Sequence, residues 1–110
     1  MPVAREDGRR EAVGRSRSTL RREGFSVSSP SLHQLPGRAV SPDLLAADGP
    51  RTVRVFVLLD SEVDSEDTRR RIAASYRHGE TRVFVRWPLR WRMLSNVARW
   101  GLRGVSVTTW

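Results

Sequence analysis

Hydrophobic and polar residues alternate in three short stretches of the second half of the chain, at residues 52–59, 81–87 and 105–109. Valine, phenylalanine and threonine are prominent there, and such alternation of β-branched and aromatic residues is typical of β-strands. We therefore predict three strands within residues 51–110. The tetrapeptide RVFV occurs in the first two of them, and we interpret it as shared strand chemistry rather than as an internal repeat.

The two segments between these strands have helical features. In the first, Ser61 and Asp64 fit a capping-box pattern, acidic residues precede basic ones as the helix dipole favours, and Gly79 can end the helix. The second opens at Pro88, a residue common in the first helical turn, and is expected to run to Trp100 or Leu102. The sequence therefore predicts one helix in each connection.

The resulting order is β-α-β-α-β, and helical connections of this length join parallel strands. We predict an α/β fold in which right-handed crossovers place both helices on one face of a three-stranded parallel sheet. The helix-covered face would be aliphatic and contain Val53, Val55, Val57, Leu59, Val83, Val85, Trp87, Val105 and Val107. The other face would mix arginine with apolar side chains and contain Arg54, Phe56, Leu58, Arg82, Phe84 and Arg86.

Residues 1–50 have a different composition. They contain five of the six prolines, and their apolar residues occur singly without a helical or strand period. Such a segment buries too little apolar surface to offset the entropy lost on ordering. We predict a largely disordered Arg/Ser/Pro-rich tail over residues 1–50 and a small α/β domain over residues 51–110. One helical turn is expected at residues 41–48, with Ser41 as its cap and Pro42 at its first position.

The charge of the chain is concentrated near its C-terminus. The formal net charge is +8, and all 20 basic residues are arginines, a bias that a GC-rich gene would also produce. Residues 1–80 hold 14 arginines and all 12 acids, whereas residues 81–110 hold six arginines, four tryptophans and no acid. This asymmetry points to an anionic partner.

Several kinds of chemistry are disfavoured by composition. The chain has no cysteine, and its two histidines, His33 and His78, lie far apart in the sequence, so we expect neither a metal site nor a cofactor. No apolar run has the length of a transmembrane helix. The N-terminal residues contain acids, which transit peptides avoid. We expect a cytoplasmic protein.

Two predicted surfaces could contact nucleic acid. On the sheet face without helices, Phe56 and Phe84 could stack on bases while arginines contact phosphates. On the second helix, a polar stripe could lie along a phosphate backbone. Each surface has a structural alternative, namely a covered sheet face and a solvated helix face. Trp91 is assigned to the core. The candidate binding residues are Arg54, Phe56, Arg82, Phe84, Arg86, Arg92, Asn96, Arg99 and Arg103.

The stretch VFVLLDSEVD, followed by GETRVFVRW and GLRGVSV, resembles the first half of NYN/PIN-type ribonuclease domains. The resemblance covers residues 53–107 and depends on Asp60, at the end of the first predicted strand. It implies that Asp60 would help to hold a divalent ion. A Mg²⁺ site needs several oxygen ligands, and no acid follows Glu80, so the acidic site is incomplete.

These observations leave three hypotheses of function. The first is a non-catalytic nucleic-acid-binding protein, for RNA or DNA, that uses its basic Trp/Arg-rich C-terminal region. The second is a metal-dependent ribonuclease fragment or relative with Asp60 in the catalytic site. The third is an interaction module that completes its sheet by forming a homo-oligomer or by docking on a protein partner. A membrane surface is a minor variant.

Overall fold

The computed structural model describes residues 2–29 and 42–110. Its helices are α1 (Pro2–Arg22), α2 (Glu66–Tyr76) and α3 (Arg90–Arg99). Its strands are β1 (Ser26–Ser28), β2 (Leu44–Asp48), β3 (Arg51–Val57), β4 (Thr81–Val85) and β5 (Ser106–Thr109). Two short 3₁₀ turns, Asp60–Glu62 and Trp87–Leu89, precede α2 and α3.

The strands form one mixed sheet in the order β1-β2-β3-β4-β5. β1, β2 and β3 are antiparallel neighbours, whereas β3, β4 and β5 are parallel. The turn between β2 and β3 contains only Gly49 and Pro50, and Gly49 has the positive φ (60°) that such tight hairpins require. The three parallel strands confirm the α/β prediction.

Within residues 2–29 and 42–110 the sheet is nevertheless larger than predicted, with five strands instead of three. Three helices accompany it instead of two. The additional elements α1, β1 and β2 come from residues 1–50, the segment predicted to be a tail. Residues 44–48 form a strand, so the helical turn predicted there is wrong; Ser41, its predicted cap, lies outside the described residues, as do Met1 and residues 30–40. Leu44 and Ala46 point into the core at alternate positions, and residues 44–48 pair with β3. This segment is a strand because of that pairing.

Helix α1 packs on one face of the sheet through a narrow stripe of small and apolar residues. Ala12, Ser16 and Leu20 are buried at four-residue spacing, and the Ser16 hydroxyl donates a hydrogen bond to the Ala12 carbonyl oxygen at 2.8 Å. None of the helices in the described ranges combines the length and the apolar character that a membrane span needs.

The two sheet faces differ from the predicted ones. The register pairs Phe56 with Val83 and Val57 with Phe84, one residue away from the alignment of the two RVFV segments. A shift of one residue exchanges the faces of a strand. Phe84 therefore packs with the odd-numbered valines of β3 beneath α1, and Phe56 packs with Val83 beneath α2 and α3. The predicted Arg/Phe face is not formed, because the two phenylalanines lie on opposite faces and both are fully buried.

The ends of α2 and α3 follow standard capping chemistry, with one correction. Ser65, and not Ser61, caps α2, since its hydroxyl oxygen accepts the Thr68 N–H at 3.4 Å. Helix α3 ends in a Schellman motif, in which the Leu102 N–H donates to the Val97 carbonyl at 2.8 Å. Gly101 supplies the positive φ (76°) that this motif requires.

Two glycine substitutions should have opposite effects on stability. Gly101→Ala should lower the free energy of unfolding by about 1–2 kcal/mol, because a Cβ is disfavoured at this backbone conformation. Gly14→Ala should raise it by about 0.5–1 kcal/mol, because Gly14 lies inside α1 with open space around it. Urea denaturation of both variants measures the difference. A lower free energy of unfolding for Gly14→Ala would contradict the helical conformation of α1 at this position.

Candidate functional site

Most residues of the predicted sheet-face surface have structural roles. Phe56 and Phe84 are core residues. The Arg54 guanidinium donates to the Ser75 hydroxyl at 2.8 Å. Arg82 pairs with Glu23 at 3.0 Å and is the least exposed of the paired arginines, with 12% of its side chain accessible. These four side chains are thus held inside the fold or against it.

The predicted polar stripe on α3 is partly an internal contact. Asn96 is buried, and its amide nitrogen donates to the Val63 carbonyl at 3.0 Å and to the Asp64 carboxylate at 2.9 Å. Arg92 also binds Asp64, with its Nε 3.0 Å from Oδ1. Arg99 donates to the Asn96 side-chain oxygen at 2.7 Å. Asn96 therefore fastens α3 to the segment before α2, and the prediction that it lies on an open surface is wrong.

The C-terminal arginines meet acids from earlier in the chain. Arg82, Arg86 and Arg92 pair with Glu23, Asp60 and Asp64 respectively. Within the described ranges, Arg90, Arg99 and Arg103 form no such pair. The acid-free sequence of residues 81–110 is therefore about half neutralised in three dimensions.

The tryptophans are distributed differently from the prediction. Trp91, assigned to the core, has 69% of its surface exposed, and Trp87 has 67%. Met93, two residues after Trp91, is buried, and positions two apart on a helix lie on nearly opposite sides. The Arg90 guanidinium carbon lies 5.3 Å from the centre of the Trp91 ring, a cation–π distance. The start of α3 thus exposes two large aromatic rings beside an arginine.

A cleft of about 580 Å³ opens at the carboxyl ends of the parallel strands, between them and α1. This end of an open α/β sheet is the usual place for ligands. We call it the strand-end cleft. It is lined by Gly8, Glu11, Ala12, Arg15, Leu59, Asp60, Arg86, Trp87, Pro88 and Trp110.

A second cavity, of about 460 Å³, extends the cleft along α1. Both cavities are lined by Glu11, Arg15 and Trp110, so they form one continuous concave surface. We call this extension the α1 groove. Its other lining residues are Gly14, Ser18, Thr19 and Arg22.

Asp60 lies where the sequence places it, just after β3, but Arg86 occupies its carboxylate. The Arg86 Nε is 3.1 Å from Oδ1 and its Nη2 is 2.6 Å from Oδ2. This bidentate contact raises the pKa of Arg86 above its ordinary value. Among the residues that the structure describes, no three histidine or acidic side chains group together in a way that could hold a metal ion. The cleft therefore combines two paired arginines, Arg15 and Arg86, with the rings of Trp87 and Trp110.

Arg9 fastens α1 beside the cleft. Its guanidinium donates to the Val57 carbonyl at 3.1 Å and to the Glu62 carboxylate at 2.5 Å. Asp43 lies nearby, accepts the Val57 N–H at 2.7 Å, and has its pKa raised by burial. Glu62 in turn accepts the Leu59 N–H at 2.8 Å. One arginine thus joins the helix to the end of β3 and to the turn after it.

Sequence reasoning missed Trp87, Trp110, Arg15 and Arg22 as surface residues of one site. Trp87 and Trp110 stand at the ends of predicted strands, which was the available signal, since strand ends in α/β sheets form ligand sites. Arg15 and Arg22 had no comparable signal. Their place in the site depends on α1 packing on the sheet.

The contact between Asp64 and α3 should appear in the pH dependence of stability. Hydrogen bonds from Asn96 first, and then Arg92, lower the pKa of Asp64. A carboxyl group whose pKa is lowered in the folded state stabilises the fold at pH values above its ordinary pKa, about 3.9. This contribution is lost as the pH falls through the folded-state pKa. We expect the melting temperature of Asp64→Asn to fall less between pH 5 and pH 3 than that of the parent protein. If the melting temperatures of the two proteins fell equally across this pH range, the contact would be contradicted.

Comparisons with protein-family models, with curated proteins and with solved structures find no match to this chain.

Proposed function

We propose that this protein binds single-stranded nucleic acid, RNA or DNA, across the strand-end cleft and the α1 groove, without catalysing a reaction. The observation that carries the proposal is the exposure of Trp87 and Trp91, about two thirds of each side chain, beside arginines at the ligand-binding end of an α/β sheet. Trp87 belongs to the cleft itself, and Trp91 follows it by one helical turn.

Aromatic stacking would supply much of the affinity. A nucleobase stacked on an aromatic side chain contributes about 1–3 kcal/mol, and every base has a suitable face. Trp87 and Trp110 line the cleft, and Trp91 extends the aromatic surface beyond it. Trp110 also packs partly against the core beneath α1, so the two exposed rings, Trp87 and Trp91, would offer most of the stacking surface.

Arginines beside these rings would contact the phosphates. Arg90 has no ion pair with a described residue and already lies against Trp91. Arg22 lines the α1 groove and donates only to the Thr19 hydroxyl, at 3.4 Å, among the described residues. Arg15 and Arg86 are each paired with one acid, so they contribute less. The net charge of +8 adds long-range attraction.

A single strand fits this surface better than a duplex does. The bases of a duplex are stacked inside it, and aromatic side chains stack on bases only where these are unpaired. On α3, the helix predicted to lie along nucleic acid, Asn96 is buried and bonded and Arg92 is paired with Asp64, so this helix does not present the polar stripe that reading a major groove would need. Unpaired RNA or DNA is therefore the proposed ligand.

The ribonuclease hypothesis stays a prediction, and nothing in the comparisons bears on its family resemblance. The position of Asp60 at the end of β3 agrees with that hypothesis, whereas its bidentate pairing with Arg86 leaves neither carboxylate oxygen unengaged. A cleavage assay distinguishes the ribonuclease from the non-catalytic binding protein. Cleavage of RNA in the presence of Mg²⁺ that is abolished by Asp60→Asn would favour the ribonuclease.

Replacing the exposed tryptophans should weaken binding. We expect Trp87→Ala and Trp91→Ala each to raise the Kd for a labelled oligonucleotide by about 5- to 150-fold, the equivalent of one base that no longer stacks. Fluorescence anisotropy with RNA and DNA 12-mers at about 50 mM salt measures it. Tyr76→Ala is the control, because Tyr76 is exposed but lies at the end of α2 beside Gly104, near the amino ends of the parallel strands and away from the cleft. Equal losses in all three variants, or no binding by the parent protein, would contradict the proposal.

The salt dependence of binding should identify the phosphate contacts. For single strands the slope of log K against log salt changes by about 0.7 for each phosphate that the protein ceases to neutralise. Arg90→Gln should therefore flatten this slope by about 0.7. Arg77→Gln removes an exposed arginine at the end of α2 and should leave the slope unchanged. Equal slopes for the two variants would exclude Arg90 from the interface.

A further inference from the structure

Strand β5 is one edge of the sheet. It pairs with β4 on one side, and no element in the described ranges lies on its other side. An edge strand presents a row of backbone donors and acceptors to which another strand can be added.

Apart from its length of four residues, β5 has none of the features that usually protect an edge. Proteins blunt such strands with charged side chains, proline or a bulge. β5 consists of Ser106, Val107, Thr108 and Thr109, and its pairing with β4 runs without interruption. Three of these residues are β-branched and none is charged, a composition that favours strand pairing.

One hydrogen bond identifies the backbone groups that face outward. The Trp110 N–H donates to the Val85 carbonyl of β4, with the nitrogen and oxygen 3.3 Å apart. Backbone groups of alternate residues point to opposite sides of a strand, so Ser106 and Thr108 also face β4. Val107 and Thr109 therefore direct their N–H and C=O groups away from the sheet.

We propose that β5 pairs with β5 of a second copy of this chain, antiparallel and about a two-fold axis, to form a continuous ten-stranded sheet. With Val107 opposite Thr109 of the second copy, each pair exchanges two hydrogen bonds. The axis then passes beside Thr108, and the two Thr108 side chains lie opposite each other. This inference does not depend on the proposed nucleic-acid binding.

Charge and symmetry favour a second copy as the occupant. Two chains of net charge +8 repel each other, but β5 brings no charged side chain into the contact. A two-fold interface needs one surface that complements itself. The outward groups of Val107 and Thr109 meet this need, and opposed threonines are a favourable cross-strand pair. Because the edge is short, the dimer is weak and depends on protein concentration.

Sedimentation equilibrium of the full chain over a range of concentrations tests the dimer, with Thr109→Pro as the disrupting variant. Proline removes an N–H that faces away from β4, so the bonds between β4 and β5 remain. We expect the dimer Kd to rise at least about tenfold, because the symmetric contact loses two hydrogen bonds. Thr109→Val keeps the N–H and the side-chain shape and should leave the Kd unchanged. A parent protein that stays monomeric at all concentrations, or a dimer that Thr109→Pro leaves intact, would overturn the proposal.

A second pair of variants tests the proposed dimer if Thr109→Pro fails to fold. Thr108→Glu places two like charges directly opposite each other across the axis, which is destabilising, whereas Ser106→Glu makes the same change of charge away from the axis. We expect Thr108→Glu to weaken the dimer at low salt, with partial recovery at high salt as the charges are screened. Ser106→Glu should retain it. Equal effects of the two variants would contradict the proposed register.

Discussion

The packing of α1 against the sheet is the interaction on which the remaining structure depends. Parallel strands are buried on both faces, and here α2 and α3 cover only one of them. The other face carries Phe84 and the odd-numbered valines of β3, all fully buried. Burial of a side chain such as Phe84 contributes about 1.5–3 kcal/mol, so leaving this face open would remove much of the stability of a domain of this size. Helix α1 supplies the cover.

The proposed binding surface is a consequence of that cover. Arg9 fixes α1 at the end of β3 through the Val57 carbonyl and Glu62, so one wall of the strand-end cleft is helix and the other is strand end. Arg15 and Trp110 face the same cavity although they lie 95 residues apart in the sequence. A site of this kind exists only when the N-terminal helix and the C-terminal strand are folded together.

The sequence predicted the parallel strands well and their relative register poorly. β-branched alternation located β3, β4 and β5, because it reflects local strand preference. The register depends instead on how Phe56 and Phe84 pack on the two faces of the sheet. It differs by one residue from the alignment of the two RVFV segments. Helix α1 was missed because its buried stripe contains Ala12 and Ser16, small residues that give a weak hydrophobic period.

Long-range pairing also limited what the sequence could say about the site. Asn96 looked like a surface contact, but its partners are Val63 and Asp64, more than 30 residues earlier. The acid-free C-terminal region looked uniformly basic, but half of its arginines meet acids from other elements. Trp91 is exposed and Met93 is buried because of the rotation of α3 about its axis. A broad arc of apolar residues in the sequence does not determine that rotation.

The indole N–H signals of the four tryptophans give the most direct test of the proposed interface. Trp87 and Trp110 line the concave surface and Trp91 follows Trp87 by one helical turn. Trp100 and Trp110 each pack partly against the core, but only Trp110 also lines the cavities. In NMR titration with a short single-stranded oligonucleotide, we expect the signals of Trp87, Trp91 and Trp110 to shift together and saturate while the signal of Trp100 stays in place. Four unmoved signals, or a shift confined to Trp100, would contradict it.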